Sequence, residues 1–177
     1  MNYASIKRMD VANGPGVRMS VFVSGCRHYC KNCFNQEAWD FEYGEPFTEK
    51  EIEEIVDYVK GDYIAGLTLL GGEPLEPENQ KGLLPLLRRI REVCPKKSVW
   101  CYTGYDFERD ILGRMINEIE EMKEFLSYVD VLVDGEYMEE LHKPSLRFKG
   151  SSNQRIIMVQ ESLQKKEVIL WDGVRQK

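Results

Sequence analysis

The chain has 177 residues, 42% of them hydrophobic and 31% charged, which is enough for one globular domain over 1–177 and excludes a disordered chain. Its 24 Lys+Arg against 30 Asp+Glu leave a formal charge of −6, the wrong sign for general phosphate binding, so no nucleic-acid partner is expected. No apolar run approaches the ~20 residues of a membrane span. Residues 1–8 have no apolar signal core, so a cytoplasmic protein is expected, without a membrane partner.

Residues 19–23 form a short β-rich run that ends at Ser24-Gly25, and a loop with three cysteines follows. Thr48 and Glu51 make a capping-box pattern. Behind it Ile52, Ile55, Val56 and Val59 fall on one helix face. Residues 66–70 read as the next strand, stopped by Gly71-Gly72-Glu73-Pro74. A second helix runs towards Val93 with Leu83, Leu86, Leu87 and Ile90 inward, and Pro95 helps to end it. Residues 98–102 are a third strand, stopped at Thr103-Gly104. A third helix is predicted to turn Ile111, Leu112, Met115, Ile116, Ile119 and Met122 inward. Residues 129–133 are a fourth strand, stopped at Asp134-Gly135. After a polar loop over 143–154, residues 155–159 and 167–171 read as two further strands.

Strands alternating with helices predict an α/β fold with a largely parallel sheet. The glycines and polar residues cluster where strands end, and in such sheets the carboxyl ends of the strands hold the site.

Five cysteines are present. Cys94 and Cys101 stand in apolar segments and read as small buried hydrophobes. Cys26, Cys30 and Cys33 have the spacing Cys-x3-Cys-x2-Cys. Three thiolates on one loop are soft ligands, suited to zinc or iron–sulfur. A [4Fe–4S] cluster usually takes four cysteines, so three leave one iron open. The bland readings are unliganded thiols or a structural zinc site with His28 or His142 as fourth ligand. Zinc sites usually add a second ligand pair farther along, and none follows here.

Cys-x3-Cys-x2-Cys after one strand and Gly-Gly-Glu-Pro after the next resemble the signature of radical S-adenosylmethionine enzymes. Asn13-Gly14-Pro15-Gly16-Val17-Arg18, Tyr102-Thr103-Gly104-Tyr105, residues 130–135 and Gly150-Ser151-Ser152-Asn153-Gln154-Arg155 narrow the resemblance. They look like the glycyl-radical activases of anaerobic ribonucleoside-triphosphate reductase, over about residues 10–158. Asn13 stands where that family often has Asp, and Asn32 where it often has Gly.

The resemblance implies a partial, open (β/α) barrel of about six strands, short of the ~250 residues of a closed one. It implies a [4Fe–4S] cluster on Cys26, Cys30 and Cys33, with S-adenosylmethionine as the second cofactor. The backbone at Gly71, Gly72 and Pro74, shaped by Glu73, would receive the methionine ammonium. Thr103 and Asp134 offer oxygens to a ribose, an ammonium or a hard cation, and Asn153 and Gln154 end the loop beside them. Tyr29 and Phe34 would shield the cluster, stack on adenine or simply pack; His28 reads as a loop hydrogen-bonder. One helix between Phe34 and Gly66 leaves room for a single cluster only. The implied partners are the large subunit of the anaerobic reductase, as acceptor of a glycyl radical, and an external low-potential electron donor such as flavodoxin or ferredoxin. The alternatives are another small radical enzyme, of formate-lyase-activase or small-heterocycle type, and a non-catalytic zinc module.

Overall fold

A computed structural model describes residues 1–173. Its centre is one seven-stranded sheet in the order β3-β1-β2-β4-β5-β6-β7. The strands are β1 Asn2–Asp10, β2 Val17–Val23, β3 Glu45–Pro46, β4 Ile64–Gly71, β5 Ser98–Tyr102, β6 Val131–Asp134 and β7 Arg155–Met158. The helices are α1 Glu49–Val59, α2 Pro77–Val93, α3 Ile116–Glu118, α4 Met122–Tyr128 and α5 Val159–Lys165.

Strands β2, β4, β5 and β6 are mutually parallel, and helices link β2 to β4, β4 to β5 and β5 to β6. Antiparallel partners flank this block: β1 pairs with β2, β3 with β1, and β7 with β6. The count is therefore seven strands rather than about six, and only the middle four are parallel.

Strand β1 was not expected, because Tyr3, Ser5 and Lys7 alternate with Ala4, Ile6 and Arg8 without an apolar face. As the outer neighbour of β2, its residues are half-buried or exposed except for Asp10. Strand β7 runs antiparallel because β6 and β7 are joined by a loop with one short 3-10 turn, Glu139–Leu141. A parallel return needs a crossover helix. The expected strand over 167–171 is reduced to one antiparallel bridge, Ile157 to Leu170, and α5 fills the space before it.

The capping box at Thr48 and Glu51 forms and starts α1. The predicted third helix is divided. It opens as a wide π-type turn over Phe107–Met115, capped by Asp106 through the Arg109 N–H, and continues as α3. At Ile119 the backbone is extended (φ −110°, ψ 118°), and α4 begins at Met122. The apolar spacing was right, since Ile111, Met115 and Met122 are all buried, but spacing does not report a bend.

Two cores lie on the sheet's two faces. Met19, Val21, Leu67, Leu69, Val99, Cys101 and Leu132 meet the helices α1, α2 and α4. On the other face Trp100, Val131, Val133 and Met158 pack with Phe148 and Trp171. Arg18 is fully buried on this second face. Its guanidinium donates to Thr68 Oγ1 (2.7 Å), Leu67 O (2.8 Å), Ser98 O (3.0 Å) and Ser98 Oγ (3.1 Å), and lies 5.5 Å from the Trp100 ring. These groups stand at the amino ends of the parallel strands and close that end. The carboxyl ends are left to the loops.

Candidate metal centre

Strand β2 ends at Ser24-Gly25, and the chain enters the cysteine loop with Gly25 at φ +95°. The loop is held from two directions. Gly25 N–H donates to Ala38 O (2.8 Å) and Cys26 N–H to Trp39 O (3.2 Å). Arg27 donates its backbone N–H to Glu76 (3.0 Å), and its guanidinium pairs with Glu76 and Glu78 while lying 4.3 Å from the Phe41 ring. Glu76 is 2% exposed whereas Arg27 is exposed, so a buried carboxylate anchors the loop against the start of α2 through a solvent-facing arginine.

Cys26 is buried, and Cys30 and Cys33 are half-buried. All three line one cavity together with Gly71, Gly72, Glu73, Thr103 and Gly104. With Gly135 after β6 also in the lining, four strand ends meet at one place. Pro74 is buried and does not line the cavity. Asp134 and Asn153 line an adjoining depression instead. Asp134 receives Phe107 N–H (3.0 Å) and the Arg155 guanidinium, and Asn153 donates to Glu136 O (2.8 Å).

The turn after β4 needs its glycines. Gly71 has φ +108°, where an L side chain is strained. A Cβ on Gly72 would lie 2.6 Å from Gly25 O and 2.9 Å from Ala38 O, so this turn sits directly on the cysteine loop. The Glu73 carboxylate joins three loops: it accepts from Leu75 N–H (2.9 Å) and Gly104 N–H (2.8 Å), and it bonds His28 Nε2 (2.9 Å). Behind it Asn79 Nδ2 donates to Ser24 O (3.0 Å) and Glu73 O (2.9 Å). His28 is therefore a loop hydrogen-bonder, as its sequence context suggested. Tyr29 packs edge-on against Trp39, and Phe34 touches Tyr137 and His142.

Sequence reasoning missed Glu76, Asn79 and Trp39. Two polar residues, Asn79 and Gln80, stand one turn ahead of Leu83 and Leu84 on α2 and are fully buried; polar groups on an inward helix face were the available signal. Trp39 left none.

Burial above all, then the nearby Glu73 carboxylate, pushes the Cys26 thiol up to about 12. Burial first and Glu136 next raise Cys30 to about 11. Without a positive charge beside them these groups stay protonated, whereas a bound metal inverts that balance and deprotonates a coordinating thiol. The donor set fits an iron–sulfur group: three soft sulfurs on one wall of a cavity. Among the described residues, Asp106, Glu108 and Asp134 form the one trio of metal-capable groups with ligand atoms within 4.8 Å of one another.

Three cysteines on a loop at the carboxyl edge of an α/β sheet, facing a Gly-Gly-Glu turn, define the class as a cysteine-liganded cluster protein. The 4Fe-4S single cluster domain family matches residues 12–157. The anaerobic ribonucleoside-triphosphate reductase-activating protein of Pasteurella multocida (strain Pm70) is 42% identical, covering 88% of this chain and 96% of the relative. That of Escherichia coli (strain K12) is 38% identical over 87% and 96%, and that of Enterobacteria phage T4 is 39% identical over 88% and 93%. The chain belongs to this family of reductase-activating proteins. No solved structure matches it.

Proposed function

We propose that the protein activates an anaerobic ribonucleotide reductase by generating a glycyl radical on the reductase's large subunit. The observation that carries this reading is the meeting of Cys26, Cys30 and Cys33 with the Gly71-Gly72-Glu73 turn at one cavity, in a chain of the reductase-activating family.

Cys26, Cys30 and Cys33 would hold a [4Fe–4S] cluster and leave one iron open for S-adenosylmethionine. When bound, that group supplies the electron that splits the sulfonium into methionine and a 5′-deoxyadenosyl radical. The chain's own part is to bind, orient and exclude side reactions. Glycines 71 and 72 bring the backbone to the ligand's amino-acid end without an intervening side chain. Glu73 fixes that turn against the loops after β2 and β5. Thr103, one strand over, offers its hydroxyl to the nucleoside end. Asp134 supports this rim through Phe107 and Arg155 and does not face the same cavity; Asn153 stands with it.

The sheet ends at β3 and β7, which do not pair with each other, in keeping with a partial, open barrel of the radical S-adenosylmethionine type. An open side admits a peptide loop of a second protein, as a radical made in trans on a glycine requires. The whole of 1–177 is read as one domain. No helix of the described residues is long and apolar enough to cross a membrane, and the cytoplasm, where a reductase and a flavodoxin- or ferredoxin-type electron donor are available, is the proposed location. The match to a 4Fe-4S single cluster domain over residues 12–157 weighs against the zinc module.

Anaerobic reconstitution followed by mixing with the cognate large subunit, reductant and S-adenosylmethionine tests this. Electron paramagnetic resonance should show a glycyl doublet that collapses when the partner's glycine is deuterated at Cα. Ala at position 26, 30 or 33 should abolish iron binding, and Ala at 94 or 101 should not. A full cluster in Cys30→Ala, or a doublet only with a formate lyase, overturns the assignment.

A further inference from the structure

Trp39 lines the same cavity as the three cysteines. Its indole Nε1–H is buried and has no hydrogen-bond partner among the described residues. A buried donor left unpaired is costly and uncommon, so such a group points to a missing acceptor.

The backbone N–H groups of this wall turn away to protein acceptors. Gly72 N–H goes to Val23 O (2.8 Å), Glu73 N–H to Gly25 O (2.9 Å) and Thr103 N–H to Val133 O (2.9 Å). Gly104 N–H goes to Glu73 (2.8 Å), and Gln154 Nε2 goes to Gly135 O (2.8 Å). Among the described residues lining this cavity, Trp39 Nε1 is the buried side-chain polar atom without a partner. Its position is set by the cysteine loop itself: Trp39 O receives Cys26 N–H, and the neighbouring Ala38 O receives Gly25 N–H. The Tyr29 ring meets it edge-on at 5.2 Å and 78°, which clamps the indole from the loop's other end. The indole therefore travels with the ligand loop rather than with the turn after β4.

We propose that Trp39 Nε1–H donates a hydrogen bond to a sulfur of the iron–sulfur group held by Cys26, Cys30 and Cys33, and thereby raises its reduction potential. The inference rests on the cluster reading above. Hydrogen bonds to the sulfurs are among the protein's controls over such potentials. Reduction adds negative charge to those sulfurs, so a donor favours the reduced form. Trp39 is thus a positioning and tuning residue for electron entry, separate from the ligands and from the S-adenosylmethionine contacts.

The test uses full-length protein carrying 15N in its indole nitrogens, loaded with iron and sulfide and reduced, without S-adenosylmethionine. Pulsed electron paramagnetic resonance should show a 15N coupling to the reduced group. Only three tryptophans are present, so loss of the coupling in Trp39→Phe assigns it. A redox titration should give a lower midpoint potential for Trp39→Phe at unchanged iron content, and Trp39→His, which keeps a ring N–H, should recover part of the shift. Absence of coupling in the loaded wild-type protein overturns the inference even if neither variant folds; an N–H spent on the Tyr29 ring would give that result. A coupling that appears only after S-adenosylmethionine is added assigns the acceptor to its carboxylate and also overturns it. Wild-type protein that takes up no iron refutes the cluster reading itself, and the inference with it.

Discussion

Two residues that depart from the family pattern are explained by their immediate surroundings. Asn32, where the family often has Gly, sits at φ +55°. Asn is one of the few side chains that enter that region at modest cost, so the substitution keeps the bend before Cys33. Asn13, where the family often has Asp, donates Nδ2 to Asp10 at 2.7 Å, beside Ala12 N–H at 2.9 Å. Burial alone would raise the Asp10 pKa, but the nearby Ser20 hydroxyl and the hydrogen bonds from Asn13 and Ala12 outweigh it and leave it lowered. A depressed folded pKa adds stability above the unfolded value, near 3.8, and loses it as pH falls through the folded one. In Asn13→Asp two carboxylates would share the site, and one would titrate above its unfolded value. Its contribution then has the opposite sign: stability is lost as pH rises through that titration. Melting temperatures between about pH 3 and 6 should therefore fall for the variant, relative to wild type, on the upper side of the carboxylate range. Parallel curves would show that Asn13 does not neutralise Asp10.

At the scale of elements, Arg18 joins three strands by one fork, from β2 to acceptors on β4 and β5. It has no carboxylate among those acceptors. Burial lowers its pKa to about 10, so it stays charged at neutral pH. A lysine presents a point charge without the planar fork and cannot reach the same set. Arg18→Met would leave Leu67 O and Ser98 O short of a donor at ~1–3 kcal/mol each. Both variants should unfold at lower denaturant, by at least ~2 kcal/mol for Met, with iron binding retained because the cysteines lie at the other end of the strands. Loss of iron at unchanged stability would place Arg18 in the site instead. The motif Asn13 to Arg18 was legible in sequence only as a family mark. Its physical task, a plug at the amino end of the sheet, depends on Thr68 and Ser98, which lie 50 and 80 residues away.

For the whole molecule, β1 decides how the parallel block is closed on one side. It covers the edge of β2, and Asn2 O accepts from Ser24 N–H at 3.1 Å, next to the cysteine loop. Met1 packs against Gly82 of α2. Removing residues 1–10 would expose a seven-residue edge of apolar β2, an invitation to pair with another chain. The truncated protein should self-associate in size-exclusion chromatography with light scattering, whereas the full chain stays at one defined size. A truncated chain that behaves as the full one would show that β1 is dispensable.

The sequence by itself determined the local chemistry: the cysteine spacing, the Gly-Gly-Glu-Pro turn, the capping box at Thr48 and the apolar faces of α1 and α2. Each of these is written in residues less than a few turns apart, where spacing alone carries the physics. The tertiary structure decided what depends on partners distant in the chain. It set the direction of β7, reduced 167–171 to a bridge, bent the third helix at Ile119, and joined Glu73 to His28 and Gly104 across 45 and 31 residues. It also turned Asp134 towards Arg155 and left the Trp39 N–H unpaired beside the cysteines. Hydrogen bonding is settled by which groups meet after the strands are laid side by side, and no periodicity in the sequence encodes that meeting.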